Sequence, residues 1–137
     1  MTTTDTNTMA GKTILIVEDN EKNMKLLRDV LGHCGYQTLE AGTGEDGVTL
    51  AQERRPDLIL MDIQLPGISG IDAFEQLAAN PQTQDIPVVA VTASAMREER
   101  LKIEAVGFAG YQPKPIQVKA FIAYVEDLLG DTESTKA

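Results

Sequence analysis

Apolar and polar positions along the chain follow two alternating patterns, one typical of buried strands and one typical of amphipathic helices. Three short apolar runs, two of them rich in β-branched residues, predict strands that are buried on both faces, and two less apolar segments complete a set of five predicted strands. The predicted strands are residues 13–17, 36–41, 58–62, 87–92 and 109–112. The segments that follow them place apolar residues three or four positions apart, which indicates helices. The predicted helices are residues 20–34, 45–55, 71–79, 96–106 and 118–129.

Residues with strong capping or breaking preferences mark several helix ends. Gly35 is the predicted C-cap of the first helix, Pro56 ends the second, and Ser69 is the predicted N-cap of the third. Five alternating strand–helix units predict an α/β fold, because right-handed crossovers place helices on both faces of a parallel sheet. We expect a doubly wound, flavodoxin-like sheet of five parallel strands in the order 2-1-3-4-5.

The two ends of the 137-residue chain lack this periodicity. Residues 1–11 are polar and rich in threonine, and residues 131–137 are also polar. Such segments bury too little apolar surface to offset the entropy lost on ordering. We therefore expect a disordered tail at 1–11, one domain at 12–130 and a flexible tail at 131–137.

Charge and composition exclude several classes of partner. The formal net charge is −9, with 21 acidic and 12 basic residues, which argues against direct binding to nucleic acid or an anionic membrane. No apolar run approaches the roughly 20 residues of a membrane span, and the first residues do not resemble a signal peptide. The single cysteine, Cys34, fits a reducing, cytoplasmic setting.

Most of the candidate chemistry lies at the carboxyl ends of the predicted strands. Glu18 and Asp19 follow the first strand, Asp62 ends the third, Thr92 ends the fourth, and Lys114 follows the fifth. Doubly wound sheets bind ligands beyond this edge, so we expect the fold to bring these side chains together. Each residue also has an ordinary structural explanation, as a helix cap, a strand former or a solvated charge.

Taken together, these side chains predict a site for a phosphoryl group. Three neighbouring carboxylates repel one another, and one would be protonated unless a cation joined them. Carboxylate oxygens are ligands that suit Mg²⁺. Lys114 adds a positive charge and Thr92 a hydroxyl, and a divalent ion, an ammonium, a hydroxyl donor and a free carboxylate together suit a phosphoryl group.

The same motifs resemble those of response-regulator receiver domains, the phosphoacceptor modules of two-component signalling. The matching segments are ILIVEDN at 14–20, DLILMDIQLPGISG at 57–70, IPVVAVTA at 86–93, and Tyr111 with Lys114 and Pro115. They span nearly all of the predicted domain, in the order of the family. Within the family, the chain is most similar to stand-alone receivers of bacterial cell-cycle control, which carry no output domain.

The resemblance implies a role for each acidic residue of the site. Asp62 would accept the phosphoryl group from a phosphohistidine and become a 4-aspartylphosphate. The side chains of Glu18, Asp19 and Asp62 and the backbone carbonyl of Gln64 would hold Mg²⁺. The donor would be a sensor histidine kinase or a histidine phosphotransfer protein, and the setting would be cytoplasmic.

The resemblance also implies how phosphorylation is read. Thr92 and Lys114 would contact the phosphoryl group, and Tyr111 would act with Thr92 as a rotamer switch. The Lys114–Pro115 peptide bond would be cis, which is accessible before proline. A downstream protein would bind the face formed by the fourth helix, the fifth strand and the fifth helix, without direct contact with nucleic acid and without membrane insertion.

One segment suggests a different function. Residues 42–47 fit the GxGxxG pattern of dinucleotide-binding proteins, follow a strand and open a helix. However, Glu45 and Asp46 place negative charge where a pyrophosphate would bind, and the second strand is expected at the sheet edge, away from the ligand site. We interpret these glycines as forming a tight loop.

An enzymatic alternative is an aspartate-nucleophile phosphatase, which also forms an aspartyl phosphate beside Mg²⁺. By resemblance, such a hydrolase carries a second aspartate two residues after the nucleophile as general acid or base. This chain has Gln64 there, and an amide cannot transfer a proton. We therefore expect a phosphoacceptor switch rather than an enzyme. A receiver that never accepts phosphate is disfavoured because no site residue is missing.

Overall fold

The computed structural model describes residues 12–93 and 96–130, which form five strands and five helices. The predicted tails, 1–11 and 131–137, lie outside the described residues. The strands are β1 (Thr13–Val17), β2 (Gln37–Ala41), β3 (Leu58–Asp62), β4 (Val88–Thr92) and β5 (Gly110–Pro113). The helices are α1 (Glu21–His33), α2 (Gly44–Arg54), α3 (Gly70–Ala78), α4 (Arg97–Val106) and α5 (Val118–Leu128). All strand pairs are parallel, in the order β2-β1-β3-β4-β5, so the predicted fold class is confirmed.

Helices cover both faces of the sheet. Successive residues of a strand point to opposite faces, so Leu15 belongs to the apolar cluster beneath α2, α3 and α4, while Ile16 belongs to the cluster beneath α1 and α5. Both side chains are fully buried. With both faces covered, the strand ends are the places where polar side chains can meet a ligand. Within the described residues, no helix is both long enough and apolar enough to cross a membrane.

Side-chain caps explain where three helices begin. The side chains of Asn20, Thr43 and Ser69 accept backbone N–H groups from the first turns of α1, α2 and α3 at 3.0–3.1 Å. The Ser69 cap was predicted. The predicted C-cap at Gly35 is displaced by one residue, because Cys34 is the cap and Gly35 follows it with a φ of 98°, where glycine meets no steric penalty.

The interpretation of the GxGxxG glycines as a tight loop is wrong for two of them. Gly44 and Gly47 lie inside α2 and are buried. A Cβ at Gly47 would lie 2.7 Å from Cγ2 of Val17, and a Cβ at Gly44 would lie 2.7 Å from Cγ1 of Ile68. These two glycines therefore allow α2 to pack closely against β1 and against the segment that follows β3.

Candidate functional site

The candidate site lies where the carboxyl ends of β1, β3 and β4 meet. In the strand register, Val17 of β1 pairs with Met61 of β3, and Asp62 of β3 pairs with Val91 of β4. Glu18, the residue after β1, and Asp62, the last residue of β3, therefore reach the same edge of the sheet. This placement follows from the parallel order, since parallel strands end at a common edge.

Three carboxylates converge at this edge. Glu18, Asp19 and Asp62 each present an oxygen, and these oxygens all lie within 4.8 Å of one another. Glu18 and Asp62 are buried, with 3% and 4% of their surface exposed, whereas Asp19 is exposed. The cluster therefore has a closed side within the protein and an open side towards solvent, which is where a ligand can enter.

Lys114 crosses to the acidic cluster from the end of β5. Its ammonium lies 2.9 Å from Glu18 Oε1 and 3.1 Å from Asp62 Oδ2. The Lys114 backbone N–H donates to the Thr92 carbonyl at 2.9 Å, and the Lys114–Pro115 peptide bond is cis. One ammonium is thus shared between two buried carboxylates, and the group of three keeps one net negative charge.

The pKa values of the site reflect both the burial of these groups and their mutual contacts. Burial is the main reason that the pKa of Asp62 is raised from its ordinary value, and the nearby Glu18 charge adds to it. Hydrogen bonds from the Gln64 backbone N–H, at 3.0 Å, and from Lys114 partly offset the rise. Burial opposes the charge of Lys114, but its bonds to the two carboxylates outweigh burial and raise the pKa of Lys114.

The donor atoms fit a small divalent cation. Glu18 Oε2 accepts the Asn20 backbone N–H at 3.1 Å, and the buried Glu18 Oε1 faces the Lys114 ammonium at 2.9 Å. The Lys114 ammonium near it compensates its charge only in part, because Asp62 shares the same ammonium. Hard oxygen donors around a partly compensated negative charge suit Mg²⁺, and Glu18, Asp19 and Asp62 would hold it.

The two predicted switch residues lie on adjacent strands. Thr92 is fully buried at the end of β4, where it pairs in register with Pro113 of β5. Tyr111 is half-buried on β5, in register with Ala90, and packs against the apolar cluster beneath α4. The Arg100 guanidinium of α4 lies 5.2 Å from the centre of the Tyr111 ring. Tyr111 is therefore placed between the edge of the site and the surface of α4.

Sequence reasoning did not identify Gly70 as part of the site. A Cβ at Gly70 would collide with the carbonyl oxygen of Asp62 and lie 2.8 Å from the Cα of Ile63. The start of α3 therefore packs directly against the backbone that carries Asp62. In the sequence, Gly70 is a glycine just before a predicted helix, and its position does not indicate such a contact.

A sequence profile described as the response regulator receiver domain matches residues 14–126. The polar-differentiation response regulator DivK of Brucella anthropi is 47% identical over 120 residues, which cover 88% of this chain and 98% of the relative. Here Asp62 and Lys114 lie within the matched profile residues.

Solved structures show the same fold. A receiver domain of a sensor histidine kinase from Pseudomonas aeruginosa, with a magnesium ion coordinated in its active-site cleft, has a TM-score of 0.82 and 30% identity. The alignment covers 88% of this chain and 98% of that one. A putative response regulator from Chloroflexus aurantiacus has a TM-score of 0.83 at 27% identity, over 87% of this chain and 98% of that one.

Proposed function

The chain belongs to the response regulator receiver family of two-component signalling, and from this premise we propose that it is a stand-alone switch phosphorylated on Asp62. The phosphoryl donor is the phosphohistidine of a sensor histidine kinase or of a histidine phosphotransfer protein. The output is a set of protein contacts that depend on the phosphate. The observation that carries the proposal is the Lys114 ammonium lying between the buried carboxylates of Glu18 and Asp62.

The transfer requires a carboxylate nucleophile and compensation of negative charge. An Asp62 oxygen forms a bond to phosphorus while the phosphorus–nitrogen bond of the phosphohistidine breaks, and the imidazole leaves with the bonding electron pair. Lys114, already 3.1 Å from Asp62, offsets part of the charge of the incoming group. When bound, Mg²⁺ would supply further charge neutralisation, held by Glu18, Asp19, Asp62 and the backbone carbonyl of Gln64.

The aspartyl phosphate would persist as a signal rather than turn over as an enzymatic intermediate. Hydrolysis in an aspartate-nucleophile phosphatase needs a general acid or base beside the nucleophile. The exposed residue two positions after Asp62 is Gln64, whose amide cannot take a proton. Transfer of the phosphoryl group to Asp62 and its slow loss to water are the expected reactions, in a cytoplasmic setting where kinase and receiver meet.

The readout would run through Thr92 and Tyr111. The Thr92 hydroxyl lies at the end of β4, where it could donate to a phosphoryl oxygen on Asp62. A shift of Thr92 towards the phosphate would open space that the half-buried Tyr111 ring could enter. Phosphorylation would then favour one of two existing states of the face formed by α4, β5 and α5, to which a downstream protein binds.

Intact-mass measurement tests the phosphoacceptor. The protein is incubated with Mg²⁺ and a small acyl phosphate. We expect one phosphate adduct on the native chain and none on Asp62→Asn. An adduct of equal yield on the variant would refute the assignment.

A binding measurement tests the readout separately. Thr92→Ala should still form the Asp62 adduct but lose phosphate-dependent capture of a partner from the native cell. Full phosphate-dependent capture by both Thr92→Ala and Tyr111→Ala would exclude this switch.

A further inference from the structure

The loop between β3 and α3, residues 63–69, is anchored at its two ends. The Ile63 N–H donates to the Val91 carbonyl at 3.3 Å, and the Gly70 N–H donates to the Ile63 carbonyl at 3.0 Å. Between these anchors, the side chains of Leu65 and Ile68 pack against the core, whereas Gln64 and Gly67 are exposed. Exposed loop backbone with few partners opens easily, so any contact that holds the middle of this loop bears on the site that the loop borders.

The first turn of α2 supplies such a contact. Oε2 of Glu45 accepts the Ile68 backbone N–H at 3.4 Å. Gly67 has a φ of 77°, and a Cβ there would lie 2.7 and 3.0 Å from the two Glu45 carboxylate oxygens. The Glu45 carboxylate therefore lies over the Cα of Gly67 while it holds the next N–H. Gly44 supports the approach, because its lack of a side chain brings α2 against Ile68.

The same loop contacts Asp62 directly. The Gln64 backbone N–H donates to Asp62 Oδ1 at 3.0 Å, and Gln64 is separated from Ile68 by three residues of the loop. We propose that Glu45 is a positioning residue that holds this loop, and through Gln64 the Asp62 carboxylate, in the arrangement needed for metal binding and phosphoryl transfer. The effect of Glu45 on metal binding and phosphoryl transfer at Asp62 rests on the proposed function. The restraint of the loop by Glu45 does not.

A simpler explanation of Glu45 is electrostatic. Acidic side chains in the first turn of a helix interact favourably with its dipole, and Asp46 lies in the same turn. The Asp46 side chain makes no hydrogen bond or ion pair among the described residues. Asp46→Ala is therefore a matched control, since it removes a first-turn charge from α2 and leaves the contact with the loop intact.

Amide hydrogen exchange in the full-length protein, without metal, tests the restraint. In Glu45→Ala, exchange at Ile68 and Gln64 should be on the order of three- to tenfold faster, the size expected for loss of one exposed hydrogen bond. Glu45→Gln keeps an acceptor oxygen and should restore slow exchange. Asp46→Ala should leave both amides unchanged. Equal exchange in Glu45→Ala and Asp46→Ala, or no recovery in Glu45→Gln, would overturn the proposal.

Magnesium titration then tests the link to the site. The apparent Kd of Mg²⁺, followed by chemical shifts, should rise about two- to fivefold in Glu45→Ala and return towards the native value in Glu45→Gln. An unchanged Kd with faster exchange would overturn the link to Asp62. If Asp62→Asn still formed the phosphate adduct, the proposed function would fail while the exchange results on the loop would stand.

Discussion

Two ionic networks in this protein have similar contact distances but differ in burial and in charge balance. The edge network consists of Glu18, Asp62 and Lys114. The helix network consists of Lys25, Arg28, Asp29 and Glu40, on α1 and β2. Nitrogen–oxygen distances are 2.9 and 3.1 Å in the edge network and 2.6 to 3.7 Å in the helix network. Side-chain exposure is 1–17% in the first and 38–67% in the second.

The difference shows that contact distance alone does not indicate function. In the helix network, two cations meet two anions and water screens them, so each pair contributes roughly 0–1 kcal/mol. In the edge network, one ammonium meets two buried carboxylates, and burial, with a smaller contribution from the Glu18 charge, raises the pKa of Asp62. The charge imbalance makes the edge a place where a cation or a reacting group can bind.

The largest expected difference between the two networks comes from removing one exposed aspartate, either Asp19 beside the edge network or Asp29 within the helix network. Asp19→Ala should weaken Mg²⁺ binding by about tenfold or more, because Asp19 completes the three-carboxylate cluster. It should also abolish the phosphate adduct. The control is Asp29→Ala, which removes another exposed carboxylate, from α1, and should change neither result. The chain has no tryptophan, so NMR titration is the suitable measurement. Equal metal affinity in the two variants would contradict a ligand role for Asp19.

The second largest effect is expected from removing the Lys114 ammonium, which should lower the stability of the folded protein. Lys114→Met keeps most of the side-chain volume but leaves Glu18 and Asp62 without a counter-charge. Lys114 retains 17% side-chain exposure, so solvent screens part of the loss, and we expect about 1–3 kcal/mol less stability in urea with chelator. Added Mg²⁺ should stabilise the variant more than the native protein. A variant as stable as the native protein in chelator would show that the two carboxylates need no compensation.

The raised pKa of Asp62 predicts the direction of a pH effect. The pKa of Asp62 is 3.8 in the unfolded chain and higher in the folded protein. The folded state therefore holds this proton more tightly than the unfolded state does. Stability without metal should therefore fall as pH rises from about 4 through the folded pKa of Asp62. Asp62→Asn should remove this fall and be the more stable of the two proteins at neutral pH. Parallel pH profiles for the two proteins, from urea unfolding, would contradict the shift.

The smallest effect is expected in the helix network. Arg28→Gln breaks the 3.1 Å contact with Glu40 that links α1 to β2. Because both side chains are exposed, stability should change by about 0.5 kcal/mol or less, and the change should shrink further in high salt. Urea unfolding at two salt concentrations measures this. A loss as large as that of Lys114→Met would remove the contrast between the networks.

The sequence was sufficient to predict the strand order and the edge at which the site lies. Buried β-branched runs identify strands locally, and the right-handed crossover rule then restricts the topology. The gathering of Glu18, Asp62 and Lys114 followed from parallel strands ending at a common edge. The roles of these residues in phosphoryl transfer remain predictions.

Close approaches between elements could not be predicted, because they depend on distances that no local pattern encodes. Gly44 and Gly47 were interpreted as loop glycines, yet they allow α2 to pack on β1 and Ile68. The close packing of Gly70 against the Asp62 carbonyl is a second contact that the sequence did not predict. The sharing of the Lys114 ammonium between two carboxylates could not be predicted either. A lysine side chain is long enough to reach several acidic residues, and the sequence does not indicate which of them it contacts.

The two outer strands of the sheet limit how copies of this protein can associate. An unpaired strand edge is a template for pairing with another chain, which leads to aggregation. Here β5 has only 4 residues, and β2 is no longer than the 5-residue inner strands. The outer strand β2 carries the charged Glu40, and β5 ends in Pro113, which has no N–H to donate. Extension of the sheet from one molecule to the next is therefore disfavoured, and a reversible complex would be built through helix surfaces.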